Sequence, residues 1–225
     1  MKTWIIGLCA AAALLGGWSW FKNNGVKTKY HNNGQKKMQW TLKDGKQHGL
    51  STQWHKNGQK SGEGTYKDGK FEGLWTGWYD NGLKWGKFTY KDGKWHGLRT
   101  VWYENGQKEG ETTYKDGKPY GPHTMWYENG QKKVEETLKD GKASGLATYW
   151  YEDGKKKGES TYKDGNLVTA TVWKPNGLKC PDTNLVDGNG ISCSYHENGQ
   201  KRYETTYKDS ERISSKGWDE DGKPE

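Results

Sequence analysis

YKDGKWHGLRTVWYENGQK, residues 90–108, decides how the whole chain is read. It holds two turn signals, Asp92-Gly93 and Asn105-Gly106, around a segment in which residue character alternates. Asn-Gly and Asp-Gly are the strongest short-range hairpin signals, because both central residues of a type I′ turn need positive φ. A strand between two such turns, copied along the chain, makes an antiparallel meander.

The copies are present. One series of turns falls at Asn33-Gly34, Asn57-Gly58, Asn81-Gly82, Asn105-Gly106, Asn129-Gly130 and Asp153-Gly154, with a constant period of 24 residues. A second, at Asp44-Gly45, Asp68-Gly69, Asp92-Gly93, Asp116-Gly117, Asp140-Gly141 and Asp164-Gly165, has the same period of 24. The turn glycines are therefore Gly45, Gly58, Gly69, Gly82, Gly93, Gly106, Gly117, Gly130, Gly141 and Gly154. A further glycine follows each Asp-Gly turn (Gly49, Gly73, Gly97, Gly121, Gly145), where the chain is expected to bulge before the next strand.

Between turns the pattern has period 2. Leu50, Thr52 and Trp54 lie on one face of a strand, and the same column returns at Trp78, Trp102, Trp126 and Trp150. The return strand carries Tyr66, Tyr90, Tyr114 and Tyr162. The expectation is that the Trp and Tyr columns share one aromatic face, with Glu and Lys on the other. Sustained 3.6-residue periodicity is absent after residue 21, so the fold class is all-β: an elongated, twisted antiparallel meander of 24-residue hairpin repeats.

Composition fits this picture. Hydrophobic residues make up 30% of 225, and 14 Trp and 14 Tyr supply much of that. A thick aliphatic core is excluded, and aromatics, which bury large areas each, cover a thin sheet instead. The net charge of +8 comes from Lys placed beside turns among Asp and Glu, a solvated surface that protects strand edges rather than a nucleic-acid footprint.

Residues 1–21 stand apart. Met1-Lys2-Thr3 precedes an apolar run from Trp4 to Leu15, with small residues at Gly17 and Ser19. This reads as a secretory signal peptide or an uncleaved membrane anchor through residues 4–21. Either way the remainder is expected to be exported: periplasmic, at the cell surface or membrane-anchored. Residues 26–173 form the regular array, 174–194 a modified repeat, and 195–225 the last repeat with a polar tail. Cys180 and Cys193 both lie in the modified repeat, an even pair suited to a disulfide in an oxidising compartment.

Tyr90-Lys91-Asp92-Gly93-Lys94-Trp95-His96-Gly97-Leu98, followed by Trp102-Tyr103-Glu104-Asn105-Gly106-Gln107, resembles the MORN family, and more closely its bacterial variant, the group of the YwqK-type antitoxins. The likeness covers about residues 26–209. It implies a sheet of β-hairpins used for association with proteins or membrane surfaces. It also offers an alternative function, an antitoxin that binds and masks a toxin.

Sites for chemistry are sparse. The turn aspartates come one per turn with Lys beside them, too dispersed for a calcium loop. The six His (31, 48, 55, 96, 123, 196) show no constant column, and two cysteines make a poor zinc site. Glu63, Glu111 and Glu159 recur with Lys between them, without the cleft that paired-carboxylate chemistry needs. No catalytic residue, metal or cofactor is expected, nor nucleic acid as a partner. Trp75, Trp85 and Trp95 fall outside the regular column and are the candidate binding patch. The reading is a non-enzymatic exported scaffold that binds a protein or an envelope surface.

Overall fold

The computed structural model describes residues 23–225, so the signal peptide or anchor expected at residues 1–21 lies outside the described residues. Every regular strand-length element there is β, as the repeat pattern demands. The chain divides into two units, Met1–Gly82 with Tyr90–Gly93, and Leu83–Thr89 with Lys94–Glu225.

The first unit holds β1 (Gly25–Tyr30), β2 (Lys36–Lys43), β3 (Lys46–Trp54), β4 (Lys60–Lys67) and β5 (Lys70–Trp78), each paired with its sequence neighbour. The second holds most of β6 (Lys84–Lys91), then β7 (Lys94–Trp95), β8 (Gly97–Trp102), β9 (Lys108–Lys115), β10 (Lys118–Trp126), β11 (Lys132–Lys139), β12 (Lys142–Ala143), β13 (Gly145–Trp150), β14 (Lys156–Lys163) and β15 (Asn166–Val172). A separate sheet in that unit contains β16 (Gly190–Tyr195), β17 (Lys201–Lys208) and β18 (Glu211–Gly217), in that order. The pairings are antiparallel between consecutive hairpin strands, so no crossover is needed.

The two turn series are built differently. Asp44, Asp68, Asp92, Asp116, Asp140 and Asp164 all have φ between 50° and 52°, and the glycine after each is also positive. These are two-residue type I′ turns, as expected. The Asn-Gly turns are not. Only the glycine has positive φ there, as at Gly58 (85°). Gly58 N–H donates to the carbonyl of His55 at 3.0 Å, and His55 N–H to that of Gln59 at 2.8 Å. This is a type I turn closed by a left-handed glycine, the longer hairpin loop with a bulge. The Asn57 Oδ1 accepts from Gln59 N–H at 3.0 Å, which favours this form over type I′.

The glycine before each outgoing strand acts as expected. Gly49 has φ 85°, and the β2–β3 register shifts between Trp40 and Leu42 beside it. The expected shared aromatic face is corrected by the register. Thr52 lies opposite Glu63, and Glu63 opposite Thr76, so Trp54 and Trp78 stand on the Glu side. Tyr66 alternates away from them, onto the face of Gly62 and Gly64. The sequence expectation failed because the period-2 columns of neighbouring strands can be aligned in two ways, and only register chooses between them.

In the stretch 174–194 the pattern is broken as far as residue 189, and β16 resumes regular pairing at Gly190. The turn at Asn176-Gly177 keeps the usual hydrogen bonds, Gly177 to Lys174 and Lys174 to Leu178, both 2.8 Å. The return strand is reduced to isolated bridges, Trp173 with Lys179 and Val186 with Asn189. Here Cys180, Cys193 and Tyr195 form a buried cluster with Val172 and Ile191 against it.

Candidate functional site

The regular face is a ladder of Lys, Trp and Glu. The Lys60 ammonium sits 6.0 Å from the ring centre of Trp78, Lys108 5.6 Å from Trp126, Lys132 5.7 Å from Trp150, and Lys156 5.3 Å from Trp173. Each of these lysines also pairs with the Glu three residues on: Lys60 with Glu63 at 2.6 Å, Lys108 with Glu111 at 2.9 Å, Lys132 with Glu135 at 2.8 Å, Lys156 with Glu159 at 2.6 Å. Thr52 Oγ1 donates to Glu63 at 3.2 Å, and Thr100 to Glu111 at 3.4 Å. The strand bulge before Trp makes this possible, since Trp54 pairs with Lys60 rather than Ser61. Each contact is partly exposed and worth about 0.5–1 kcal/mol. Their repetition aligns the ladder, and an ammonium already lies over one ring of each of these indoles.

Lys201 repeats the motif in the small sheet, 5.8 Å from Trp218, 2.9 Å from Glu204 and 3.0 Å from Asp182. The Glu204 hydrogen bond, with Asp182 beside it, holds the Lys201 ammonium well above its ordinary pKa against a smaller opposing effect of burial.

What this face leaves uncovered is aliphatic. Leu50, Leu74, Leu98 and Leu146 are between 48% and 59% exposed. Leu50 lies opposite Thr65, Leu98 opposite Thr113 and Leu146 opposite Thr161, the same register each time. Pro122, opposite Thr137, takes that place in the remaining copy and is also exposed.

Trp75, Trp85 and Trp95 are half-buried, not the exposed patch expected. Trp75 lies flat over Gly62 and Gly64, whose missing side chains make room for its indole. Trp85 meets the buried Phe88 edge-on at 5.6 Å, and Trp95 stacks on Phe88 at 6.0 Å. The Arg99 guanidinium covers Phe88 at 5.4 Å and Trp95 at 5.6 Å. Trp95 also meets Tyr114 at 4.9 Å, while Tyr66, Phe71 and Tyr90 stack in the first unit. These side chains replace aliphatic core on the Tyr face.

A column that the sequence reading missed joins consecutive repeats. His31 Nε2 bonds the carbonyl of Trp54 at 2.9 Å, His55 that of Trp78 at 2.8 Å, and His196 that of Trp218 at 2.8 Å. Tyr103, Tyr127 and Tyr151 do the same through O–H, donating to Trp126, Trp150 and Trp173, each at 2.8 Å. Histidine and tyrosine are interchangeable there because each presents one donor at similar reach. The signal was available: all six stand two residues before an Asn or Asp of the turn series. Burial raises the pKa of all three tyrosines, with nearby carboxylates adding to it, Tyr151 to about 12. Asn33, Asn57, Asn105 and Asn129 tie the same loops by donating to carbonyls of the following loop at 2.7–2.9 Å.

His48 and His96 serve a second tie, each 3.4 Å from the turn aspartate twenty residues on, Asp68 and Asp116. Glu72 holds Asp92 N–H at 2.9 Å from the equivalent position. Among the described residues, the donor atoms of one group, Cys180, Asp182 and Cys193, converge within 4.8 Å of one another. Both cysteines are free thiols in this structure.

The model of the MORN repeat variant matches five segments: 47–68, 95–116, 119–140, 143–164 and 189–209. These are MORN-variant repeats. Four of the matched segments begin on the strand after an Asp-Gly turn and run to the next Asp-Gly, so the family unit is the hairpin described above. The fifth ends at Asp209, where Ser210 stands in place of the turn glycine. No curated protein matches the chain.

Proposed function

We propose that this MORN-variant array is a non-enzymatic scaffold whose leucine-bearing face binds a protein partner or a cell-envelope surface, and that residues 1–21 direct it out of the cytoplasm. The observation that carries the reading is that half-exposed leucines recur at multiples of 24 residues within each unit, Leu50 and Leu74 in the first, Leu98 and Leu146 in the second. Repeats need Trp, Tyr, His and Asn to hold together, and each of these has an internal task above. An exposed leucine opposite a threonine adds nothing to that, and apolar residues repeated on one face are what a partner surface buries. The Trp ladder argues against ligands that stack on rings, since lysine already occupies it.

The test is capture from intact cells with the full chain, comparing wild type with Leu98→Asp and Leu146→Asp. Burial of one leucine is worth about 1.5–3 kcal/mol. Each variant should therefore lose roughly ten- to hundredfold in affinity for a captured protein, or for vesicles of envelope lipid if a membrane surface is the partner. Binding unchanged in both variants, or a hydrolase activity abolished by changing one Glu, would overturn the proposal. Cell fractionation separates the antitoxin-like alternative: a full-length chain confined to the cytoplasm in complex with a toxin supports that reading and excludes the exported one.

A further inference from the structure

The modified repeat does something the regular ones cannot. Cys193 stands on β16 where the regular repeats carry Thr52, opposite Glu204 as Thr52 is opposite Glu63. Tyr195 replaces the ladder Trp, with Lys174 5.2 Å from its ring. Cys180 ends the reduced return strand, its N–H donating to Val172 of β15 at 2.8 Å. The two sulfurs lie within 4.8 Å of each other, at 2% and 4% exposure.

The surroundings of the two differ. Tyr195 Oη lies 2.9 Å from the Cys180 sulfur. The Thr183 hydroxyl and the backbone amides of Asp182 and Thr183 also point to that sulfur. Thr183 is fixed in turn, its Oγ1 accepting from Cys193 N–H at 3.1 Å. Charged groups flank the pair: Asp182 from the loop, Lys201 and Glu204 from β17, and Lys174 beyond Tyr195. Burial opposes ionisation of Cys180, but the hydrogen bonds from Thr183, Tyr195 and the amides outweigh it and lower its pKa. Burial and the neighbouring Cys180 push the Cys193 thiol up to about 11. A thiolate held by four donors beside a protonated thiol is an asymmetric dithiol.

We propose that Cys180 and Cys193 are a peroxide-sensing pair, in which Cys180 is the nucleophile and Cys193 the resolving thiol, and that their disulfide locks the small C-terminal sheet to β15. The oxidant is a small hydroperoxide, because two sulfurs this enclosed leave no space for a bulky disulfide donor. Of the two, Cys193 lines the hollows beside β16, and a small peroxide that slips past it has less than 4.8 Å to go to the Cys180 sulfur. The Cys180 thiolate attacks one peroxide oxygen; the O–O bond breaks, and the other oxygen leaves as alkoxide or hydroxide and takes up a proton. Cys180 is then a sulfenic acid. Cys193 attacks that sulfur and gives up its proton, the S–O bond breaks, and water leaves. Two thiols lose two electrons, and the peroxide is reduced to an alcohol (or water) and one water. The link joins positions 13 residues apart, across the loop from Cys180 to β16. This does not depend on the scaffold reading, since it concerns the fold's own chemistry.

The test treats the full chain, stripped of metal with a chelator, with hydrogen peroxide and maps the peptides, which separates Cys9 from the pair. A Cys180–Cys193 disulfide is expected. Cys193→Ser should stop at a sulfenic acid on Cys180, trapped by dimedone. Cys180→Ser should react about tenfold more slowly or worse, since it leaves Cys193, which lacks the set of donors that faces the Cys180 sulfur. If either variant fails to fold by circular dichroism, early dimedone trapping in the wild type still identifies the first sulfur oxidised. Trapping at Cys193 first would overturn the proposal. So would thiols that stay reduced, or a zinc ion that survives purification and whose removal is needed before either thiol reacts.

Discussion

Among the described residues, Ser210 is the one non-glycine residue at the second position of a two-residue turn, with Asp209 at φ 51° and Ser210 at φ 66°. Lys208 and Glu211 pair across it, just as Lys67 and Lys70 pair across Asp68-Gly69. The left-handed region costs a non-glycine residue about 1–2 kcal/mol. Ser210→Gly should therefore raise stability by about 1 kcal/mol, after allowing for the greater freedom of glycine in the unfolded chain. Chemical denaturation of both proteins checks this; an unchanged midpoint would mean the turn is not strained. Tyr151 shows the opposite economy. It is fully buried and donates to Trp173 at 2.8 Å, so Tyr151→Phe leaves that carbonyl short of a partner and should cost about 1–2 kcal/mol.

Among the elements, β4 and β5 show how a sheet without aliphatic side chains finds a cover. Gly62 and Gly64 are empty positions on β4, and the Trp75 indole of β5 fills both. A methyl group on Gly64 would fall inside that indole. Gly64→Ala should then expel Trp75 and destabilise the protein by about 1–3 kcal/mol, the ordinary range for overpacking. Tryptophan fluorescence should shift to the red in step with it. If the variant keeps the wild-type spectrum and midpoint, the indole has another resting place. The pattern around residues 90–108 showed the turns, the period and the bulge glycines, because these depend on local backbone preference. It did not show that Trp75 belongs with two glycines on the preceding strand, because that contact is set by register.

Within each unit, stability is distributed over like repeats, and His or Tyr, Asn and Lys–Glu–Trp contacts join neighbours in the copies that carry them. That makes alkaline pH a whole-chain variable. The Tyr151 phenol has its folded pKa raised from 10.0 to about 12. Folded protein holds the proton more tightly than unfolded, so the unfolded chain loses it first as pH rises. Its contribution is present below pH 10.0 and is lost between there and about 12. Tyr103 and Tyr127 are shifted in the same direction. Thermal unfolding midpoints should accordingly fall through this window, and Tyr151→Phe should flatten the fall. A midpoint independent of pH up to 12 would contradict the assignment of these phenols as buried ties.

Sequence alone determined the all-β class, the 24-residue hairpin repeat and the positions of the turns. Those follow from φ preferences and period-2 alternation, which act within a few residues. Tertiary structure decided which columns share a face, since one choice of register moves every side chain of a strand. It also decided that His31 and Tyr103 perform the same task, that Trp75, Trp85 and Trp95 fill the molecule rather than decorate it, and that Asp182, Thr183 and Tyr195 surround Cys180. Each of these is a contact between residues 2 to 23 positions apart, and distance in the chain says nothing about it until the strands have paired. The segment at 90–108 thus contributes its turns to the fold by itself, while the burial of Trp95 against Phe88 and Arg99 belongs to the assembled sheet.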